Sequence, residues 1–323
     1  MPNVVSSKAA GGEPSAARRL LVSGITAQLP GSPGRRERTA SEISSWRRSR
    51  ERLFFRLLTL PAVLIALFVA IIPLGMLVFR SFLDRTGAAT FANYAQSFTN
   101  PLFMRTLVTT ILMAVTVTVL STALAYPVAY VMARHTRLRN VLMPAVTIPR
   151  MLPFVVIGYA VILLLAPFTG LLNKLFMAMG IIKEPLFILF DWPGLLIAFG
   201  YSGLVIATGM LTGVLMSVDP QLEEAAVGLG ASRLVAFFKV TLPLTIPGVI
   251  ASGGIVFTSV VTAYSIPVML SGRVPFMIAP IIAVTLQSLG DFNLAFAQAV
   301  IVTVLSLGGT LGAQFVLDRY GRT

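Results

Sequence analysis

Residues 217–243 have the sequence Ser-Val-Asp-Pro-Gln-Leu-Glu-Glu-Ala-Ala-Val-Gly-Leu-Gly-Ala-Ser-Arg-Leu-Val-Ala-Phe-Phe-Lys-Val-Thr-Leu-Pro, and they separate two long apolar runs. The segment is too long and too patterned for a simple turn. Asp219 is suited to cap a helix that opens at Pro220. Gly228 and Gly230 then predict the end of that helix. The first half of the segment therefore predicts one short helix.

The second half of the segment predicts another short helix. Ser232 is suited to cap it, and we expect the helix to expose Phe237 and Phe238. Residues 241–243 mark the return to the next apolar run. Together the two helices predict a small helical projection from the apolar part of the chain.

Apolar residues dominate the rest of the chain. Hydrophobic residues make up 56% of the 323 positions and charged residues only 11%, which lies outside the usual range of soluble domains. Six segments approach the roughly 20 residues that a helix needs to cross a bilayer. The sequence therefore predicts an all-α integral membrane protein with six transmembrane helices, at residues 57–79, 107–132, 141–165, 195–216, 246–270 and 294–317.

Several of these predicted spans contain proline, which would break a helix in a soluble protein. In a membrane, neighbouring helices can satisfy the backbone groups that proline leaves unpaired. We therefore expect kinks rather than helix ends at Pro73, Pro127, Pro149, Pro153 and Pro267.

Lysine and arginine are distributed unevenly between the two sides of the predicted spans. Residues 1–56 form a basic tail rich in Ser, Gly, Ala and Arg, for which no fold is predicted. The same side holds Arg134, Arg137, Arg139, Arg233, Lys239, Arg319 and Arg322; the other side holds Arg80, Arg85, Arg105, Lys174, Lys183 and Arg273. Because cytoplasmic loops are enriched in these residues, both termini are expected to be cytoplasmic. The net charge of +13 thus indicates membrane orientation rather than binding of nucleic acid.

The chain has few residues suited to catalysis. It contains no cysteine and a single histidine, His135, so disulfides, cysteine-ligated zinc and thiol nucleophiles are excluded, and no cofactor or metal is expected. It also lacks a GxxxxGK[S/T] loop for nucleotide phosphates. The acidic group of Asp219, Glu223 and Glu224 has a spacing that suits helix capping better than metal chelation. An integral-membrane enzyme that acts on lipid or prenyl substrates and a passive channel remain alternative hypotheses.

The segment between the fourth and fifth spans also contains a specific motif. Its members, at fixed spacing, are Glu224, Ala225, Ala226, Gly230, Val240, Leu242 and Pro243. This pattern resembles the EAA loop of ABC importer permeases, in which Ile often stands at the position of Val240. The resemblance includes the cytoplasmic placement predicted for this segment, and it implies a permease subunit in a bacterial inner membrane.

In that family the loop is a coupling helix, which docks in a groove of a separate ATPase subunit. The resemblance implies an ATPase dimer, a second permease subunit, preferably in a hetero-pair, and an extracytoplasmic solute-binding protein as partners. It implies a coupling role for Glu224, Ala225, Ala226, Gly230, Leu242 and Pro243. The alternative for Glu224 is that it only stabilises its own helix, in which alanines are simply good helix formers.

The resemblance extends from about Phe91 to the C-terminus. It implies the type I importer core of five spans in residues 103–323, with a coupling loop at 217–245, and an added first helix and its loop in residues 57–102. The stretches at 125–133 and 263–272 resemble spermidine/putrescine-type permeases. Many of those permeases carry an arginine shortly before the aromatic residue that Tyr159 matches, and this chain does not. The predicted spans also contain no Asp or Glu. The identity of the small solute therefore stays open between a polyamine and another small compound.

Two sets of hydroxylated residues follow helical spacing and are candidates to line a permeation path. Small hydroxylated residues are also common at ordinary contacts between membrane helices, so close packing is the alternative interpretation. The candidates are Tyr201, Thr208 and Thr212 in the fourth span, and Thr258, Thr262 and Ser265 in the fifth span.

Arg150 is a further candidate for the path, because it falls inside the third apolar segment. An unpaired arginine in a bilayer costs at least a few kcal/mol. It could contact an anion or belong to a gate. Alternatively, the third helix begins later than residue 141 and Arg150 lies near the cytoplasmic interface. The neighbouring Pro149 and Pro153 predict irregular backbone there.

Overall fold

The computed structural model describes the backbone of residues 40–270 and 277–320, and the side chains of residues 59–61, 63–270 and 277–315. Within these ranges all regular structure is helical, apart from an isolated bridge between Leu83 and Ala89. In chain order the helices are α1 (Ala40–Ser81), α2 (Ala92–Thr99), α3 (Pro101–Arg134), α4 (Thr136–Met151), α5 (Phe154–Leu165), α6 (Leu171–Ala178), α7 (Trp192–Ser217), α8 (Pro220–Gly228), α9 (Arg233–Ala236), α10 (Leu242–Val261), α11 (Ser265–Leu270), α12 (Ile278–Gln287) and α13 (Phe292–Tyr320). A π turn, Phe237–Thr241, joins α9 to α10.

Five of the described helices are long and apolar enough to cross a membrane, and the bent pair α4–α5 makes a sixth span if it is counted as one. The prediction of an all-helical fold is confirmed for the described residues, and the prediction of six spans is confirmed when the bent pair counts as one span. Asn100 and Asp191 cap α3 and α7 by accepting backbone N–H groups at 2.9 and 2.7 Å. Caps at these positions define where two of the central helices begin.

The first helix begins earlier than the sequence suggested. Residues 40–56, predicted as part of a tail without fold, belong to α1. The physical reason is local, because five of these 17 residues are Arg, a strong helix former, and the stretch contains no Gly or Pro. The chain divides into two compact units within α1, between Phe68 and Val69. Residues 1–39 of the predicted tail lie outside the described residues.

Helices α3, α7, α10 and α13 form the centre of the second unit, with a core that includes Phe103, Met113, Leu195, Leu211 and Val256. Small residues allow α7 to approach its neighbours closely. The Ser121 hydroxyl donates to the Gly200 carbonyl at 3.2 Å. A Cβ placed on Gly203 would lie 2.6 Å from Ser121 Oγ and 3.1 Å from Val256 Cγ1. Glycine at this position therefore sets the spacing of three helices.

The predicted third span, 141–165, is not one helix. It consists of most of α4 followed by α5, with a 107° bend between them. Pro153 lacks the N–H that a continuing helix needs, and it disfavours helical backbone at Leu152, which has ψ 135°. The expectation of a kink is therefore wrong at Pro153, because α4 ends at Met151, just before it. Pro127 and Pro149, in contrast, lie inside α3 and α4.

The predicted fifth span, 246–270, is displaced along the chain. The membrane-length helix runs from Arg233 to Val261 through the π turn, and a separate short helix, α11, follows. The break lies one turn before Pro267, whose ring would clash with the Ala263 carbonyl in a continuous helix. Pro243 stands next to the π turn, a feature that commonly bends a helix without ending it.

Candidate coupling loop and permeation residues

Residues 217–245, which the sequence predicts to be a coupling loop and which keep that name below, contain the two short helices that the sequence predicted. The carboxylate of Asp219 accepts the Gln221 N–H at 2.9 Å and caps α8, which opens at Pro220. The helix ends at Gly228, and Gly230 follows with φ +95°. This left-handed backbone lets the Ala231 N–H reach the Ala226 carbonyl at 3.1 Å. The predicted caps and the predicted end of the helix are confirmed.

The structure separates the six predicted coupling residues into two groups. Glu224, Ala225 and Ala226 lie on α8, no residue of which is buried, and Gly230 is exposed just beyond its end. Leu242 and Pro243 instead open α10. Leu242 packs against the core, whereas Pro243 is exposed. The first group thus presents an accessible surface, and the second lies where the loop joins the membrane helix.

The second predicted helix is present and is capped as expected. The Ser232 hydroxyl accepts the Val235 N–H at 3.3 Å and opens α9. The expectation that both phenylalanines are exposed is wrong for Phe237, whose ring packs edge-on against Tyr130 with centroids 5.1 Å apart. Phe238 is 59% exposed. Sequence reasoning missed this contact because Tyr130 is distant along the chain.

Sequence reasoning also missed Glu223, which neighbours the predicted coupling residue Glu224. Its carboxylate accepts hydrogen bonds from the Tyr130 hydroxyl at 2.6 Å and the Thr241 hydroxyl at 2.8 Å. Arg134 Nη2 lies 3.6 Å from the same carboxylate. The signal in the sequence was the spacing of four residues between Tyr130 and Arg134 at the end of α3, which places both side chains on one face.

The candidate path residues of α7 differ in exposure. Thr208 and Thr212 are 1% and 2% exposed. The Thr212 hydroxyl donates to the Thr208 carbonyl at 2.7 Å and lies 4.0 Å from Met132 Sδ in α3. These two residues therefore occupy a helix contact in this conformation. Tyr201 is 41% exposed and is the accessible member of the set. A role of all three in the path stays a prediction.

The candidates of the fifth span do not share one continuous helix. Thr258 lies in α10 and its Oγ is 2.8 Å from Thr310 Oγ in α13. Thr262 is exposed at the C-terminal cap of α10 and donates to the Thr258 carbonyl at 2.8 Å. Ser265 opens α11, beyond the break. The expected single face of three residues is thus wrong for Ser265, and the contribution of these residues to a path stays a prediction.

Arg150 lies in the last turn of α4, before the bend, and is exposed. Its Nη1 lies 3.3 Å from the position that a Cβ on Gly209 of α7 would occupy. The missing side chain of Gly209 makes room for this guanidinium. Because α4 begins at Thr136 and contains Arg150, the alternative that the third helix begins later than residue 141 is wrong. A role of Arg150 in the path stays a prediction.

Comparison with known proteins assigns the chain to a family. A family model described as "Binding-protein-dependent transport system inner membrane component" matches residues 121–320, which include α7, α8 and the whole coupling loop. The chain belongs to this family. It is 27% identical over 241 residues to the spermidine/putrescine transport system permease protein PotB of Escherichia coli, a match that covers 72% of this chain and 87% of PotB.

Two solved structures share the fold of this permease. One is a bacterial ABC transporter involved in the import of the acidic polysaccharide alginate, with TM-score 0.72 and 18% identity over 85% of this chain and 99% of the other. The second is the bacterial alginate transporter in complex with an alginate pentasaccharide-bound periplasmic protein. It has a TM-score of 0.70 and 19% identity, and the match covers 86% of this chain and 98% of the other. The predictions of an ABC importer permease fold and of a multi-pass inner-membrane subunit that moves a small solute are confirmed.

Proposed function

We propose that this permease couples to a separate ATPase subunit through the exposed surface of α8. The observation that carries the proposal is the placement of Glu224, Ala225 and Ala226 on a helix that projects from the membrane helices with no buried residue of its own. Two alanines permit close approach of a partner, and Glu224 offers an acceptor for a basic or backbone donor. The partner supplies ATP hydrolysis, because the sequence has no phosphate-binding loop.

A second permease subunit completes the pathway in this proposal. A two-fold ATPase dimer presents two equivalent grooves, whereas the family motif occurs once in this sequence. The second groove therefore receives the loop of another permease chain, and we favour a homologous chain over a second copy. The choice between them is decided by the composition of the purified complex.

An extracytoplasmic binding protein delivers the solute in this proposal, as the family description implies. The solute is small, and a polyamine is the candidate that the likeness to PotB favours. The selectivity resides mainly in the binding protein, because a permeation path needs only weak and transient contacts. The distribution of Lys and Arg supports a cytoplasmic position for the coupling loop and both termini.

Cysteine crosslinking tests the coupling role, and the native chain contains no cysteine to interfere. One cysteine replaces Ala225 and another is placed in the groove of the cognate ATPase. We expect a specific crosslink whose yield changes when ATP is added. Ala88→Cys, in the loop after α1, serves as the matched control and should form no crosslink. If no cysteine placed at residues 221–231 forms a crosslink in an intact complex, the coupling role is wrong. The passive channel, tested by ATP-independent flux, and the lipid-directed enzyme would then be the remaining hypotheses.

A further inference from the structure

The carboxylate of Glu223 joins three parts of the permease. Glu223 lies in the first turn of α8, Tyr130 is near the end of α3, and Thr241 is in the π turn that opens the fifth span. Both hydroxyls donate to the carboxylate, at 2.6 and 2.8 Å. α8 is therefore tied at one residue to α3 and to the π turn that leads into α10.

Further contacts make this connection rigid. Arg134 Nη1 donates to the Val218 carbonyl at 3.1 Å, just before α8 begins. The Thr245 hydroxyl donates to the Thr241 carbonyl at 3.0 Å and lies 2.6 Å from the Tyr126 hydroxyl. α3 thus holds both the start of α8 and the start of α10.

Burial makes these contacts strong. The side chain of Glu223 is 16% exposed and that of Arg134 is 12% exposed, while Thr241 is fully buried. Hydrogen bonds to a charged acceptor are short and strong when water is largely excluded. Removal of the carboxylate would leave the Tyr130 and Thr241 hydroxyls without their acceptor.

Glu223 and Glu224 are adjacent but face different surroundings. Glu224 is exposed and makes no hydrogen bond or ion pair within the described part of the chain, whereas Glu223 contacts α3 and the π turn. This division suits a helix that meets a partner on one side and the membrane helices on the other. It follows from the roughly 100° of rotation between successive residues of a helix.

We propose that Glu223 is a positioning residue that transmits movement of α8 to α3 and to the start of α10. The role rests on the proposed docking of an ATPase on α8. When the ATPase displaces α8, the two hydroxyl contacts and Arg134 move the ends of both helices with it. A loop held only by its chain connections would instead move by itself, and ATP would be hydrolysed without import.

The test measures solute imported per ATP hydrolysed in liposomes that contain the complete complex with its binding protein. Glu223→Ala is expected to lower this ratio about tenfold, because it removes the acceptor of both hydroxyls and the carboxylate beside Arg134. Glu223→Gln should recover part of it, because its amide oxygen still accepts from Tyr130. Glu184→Gln, an exposed glutamate of the 179–191 connection, is the matched control and should leave the ratio unchanged.

A double-variant comparison separates transmission from general damage. Tyr130→Phe alone should lower the ratio, and Glu223→Ala combined with Tyr130→Phe should be no worse than Glu223→Ala, because both remove the same contact. The proposal would be overturned if the double variant lowered the solute imported per ATP by the product of the two single effects. It would also be overturned if Glu223→Ala kept the wild-type value of that ratio.

The crosslink from Ala225→Cys distinguishes this proposal from the docking on which it depends. We expect the crosslink to persist in Glu223→Ala while the solute imported per ATP falls. If Ala225→Cys forms no crosslink in a permease that keeps Glu223, the docking itself is refuted. If adding Glu223→Ala to Ala225→Cys abolishes both the crosslink and import, Glu223 only folds the loop, and transmission is refuted.

Discussion

Gly230 shows how a single residue determines the shape of the coupling loop. Its φ of +95° belongs to a backbone region that L-residues with a side chain rarely adopt. No neighbouring atom lies within 4 Å of a Cβ built at this position. The requirement for glycine is therefore conformational and does not come from crowding.

Replacement of Gly230 by alanine should destabilise the loop by about 1–2 kcal/mol, the cost of a left-handed conformation with a side chain. We expect a lower melting temperature of the purified permease and weaker ATP-driven uptake. Gly228→Ala is the matched control, since Gly228 ends α8 without a positive φ and has open space around it. Alanine favours helix, so this control should be neutral or slightly stabilising. Equal effects of the two changes would contradict the conformational argument.

The ion pair of Arg85 and Asp291 links two connections at the end of the helices opposite the coupling loop. Arg85 Nη2 lies 2.8 Å from Asp291 Oδ2, and the Asn293 amide donates to the Asp84 carbonyl at 2.8 Å. Burial by itself would raise the pKa of the Asp291 carboxyl. The hydrogen bonds from Arg85 and from the Leu294 N–H outweigh burial and lower that pKa below its usual value.

A lowered pKa predicts the pH dependence of Asp291→Asn. The ionised carboxylate contributes stability above its unfolded-state pKa of about 3.9, and this contribution disappears as the pH falls through the lower folded-state pKa. The variant should therefore melt at a lower temperature than wild type near pH 6, and the difference should shrink below about pH 4. A difference that is constant with pH would show that the charge is not responsible.

At the scale of elements, glycine determines how closely α7 can approach α3 and α10. A Cβ at Gly203 would meet Ser121 and Val256, whereas a Cβ at Gly200, one turn earlier, would have no neighbouring atom within 4 Å. The same residue type thus has two different consequences within one helix. The difference depends on the neighbouring helices and not on α7 itself.

Gly203→Ala should push Ser121 and Val256 away from α7. We expect it to lower the free energy of unfolding by about 1–3 kcal/mol, the usual range for overpacking. The measurement is the melting temperature of the purified permease in detergent. Gly200→Ala is the matched control and should be tolerated. If Gly200→Ala lowers the melting temperature as much as Gly203→Ala, helix packing does not explain the glycine at 203.

At the scale of the whole molecule, the distribution of Lys and Arg predicts the orientation in the membrane. The coupling loop should be cytoplasmic, and the loop after α1 should face the opposite side. Leu229, next to the end of α8, is 91% exposed, and Ala88 is exposed in the loop after α1. Single cysteines at these positions report on the two sides separately.

A membrane-impermeant maleimide should label Ala88→Cys in intact cells and should label Leu229→Cys only after the membrane is permeabilised. The wild-type chain has no cysteine and provides the blank. Labelling of Leu229→Cys in intact cells would reverse the predicted orientation. It would also place the proposed ATPase surface on the wrong side of the membrane.

The sequence by itself determined the helical membrane-spanning class, the approximate spans and the ends of α8. These features depend on composition and on contacts within one or two turns, such as the cap at Asp219 and the left-handed Gly230. The family motif likewise consists of neighbouring positions at fixed spacing. Local interactions of this kind can be predicted without knowing which helices become neighbours.

Only the tertiary structure decided that α4 ends just before Pro153, that Thr208 and Thr212 are buried, and that Glu223 rather than Glu224 contacts the membrane helices. A proline bends or ends a membrane helix according to which neighbours satisfy its backbone. A hydroxyl or carboxylate likewise acquires its role from partners on other helices. Tyr130 and Glu223 are 93 residues apart in the chain, so no local pattern could pair them.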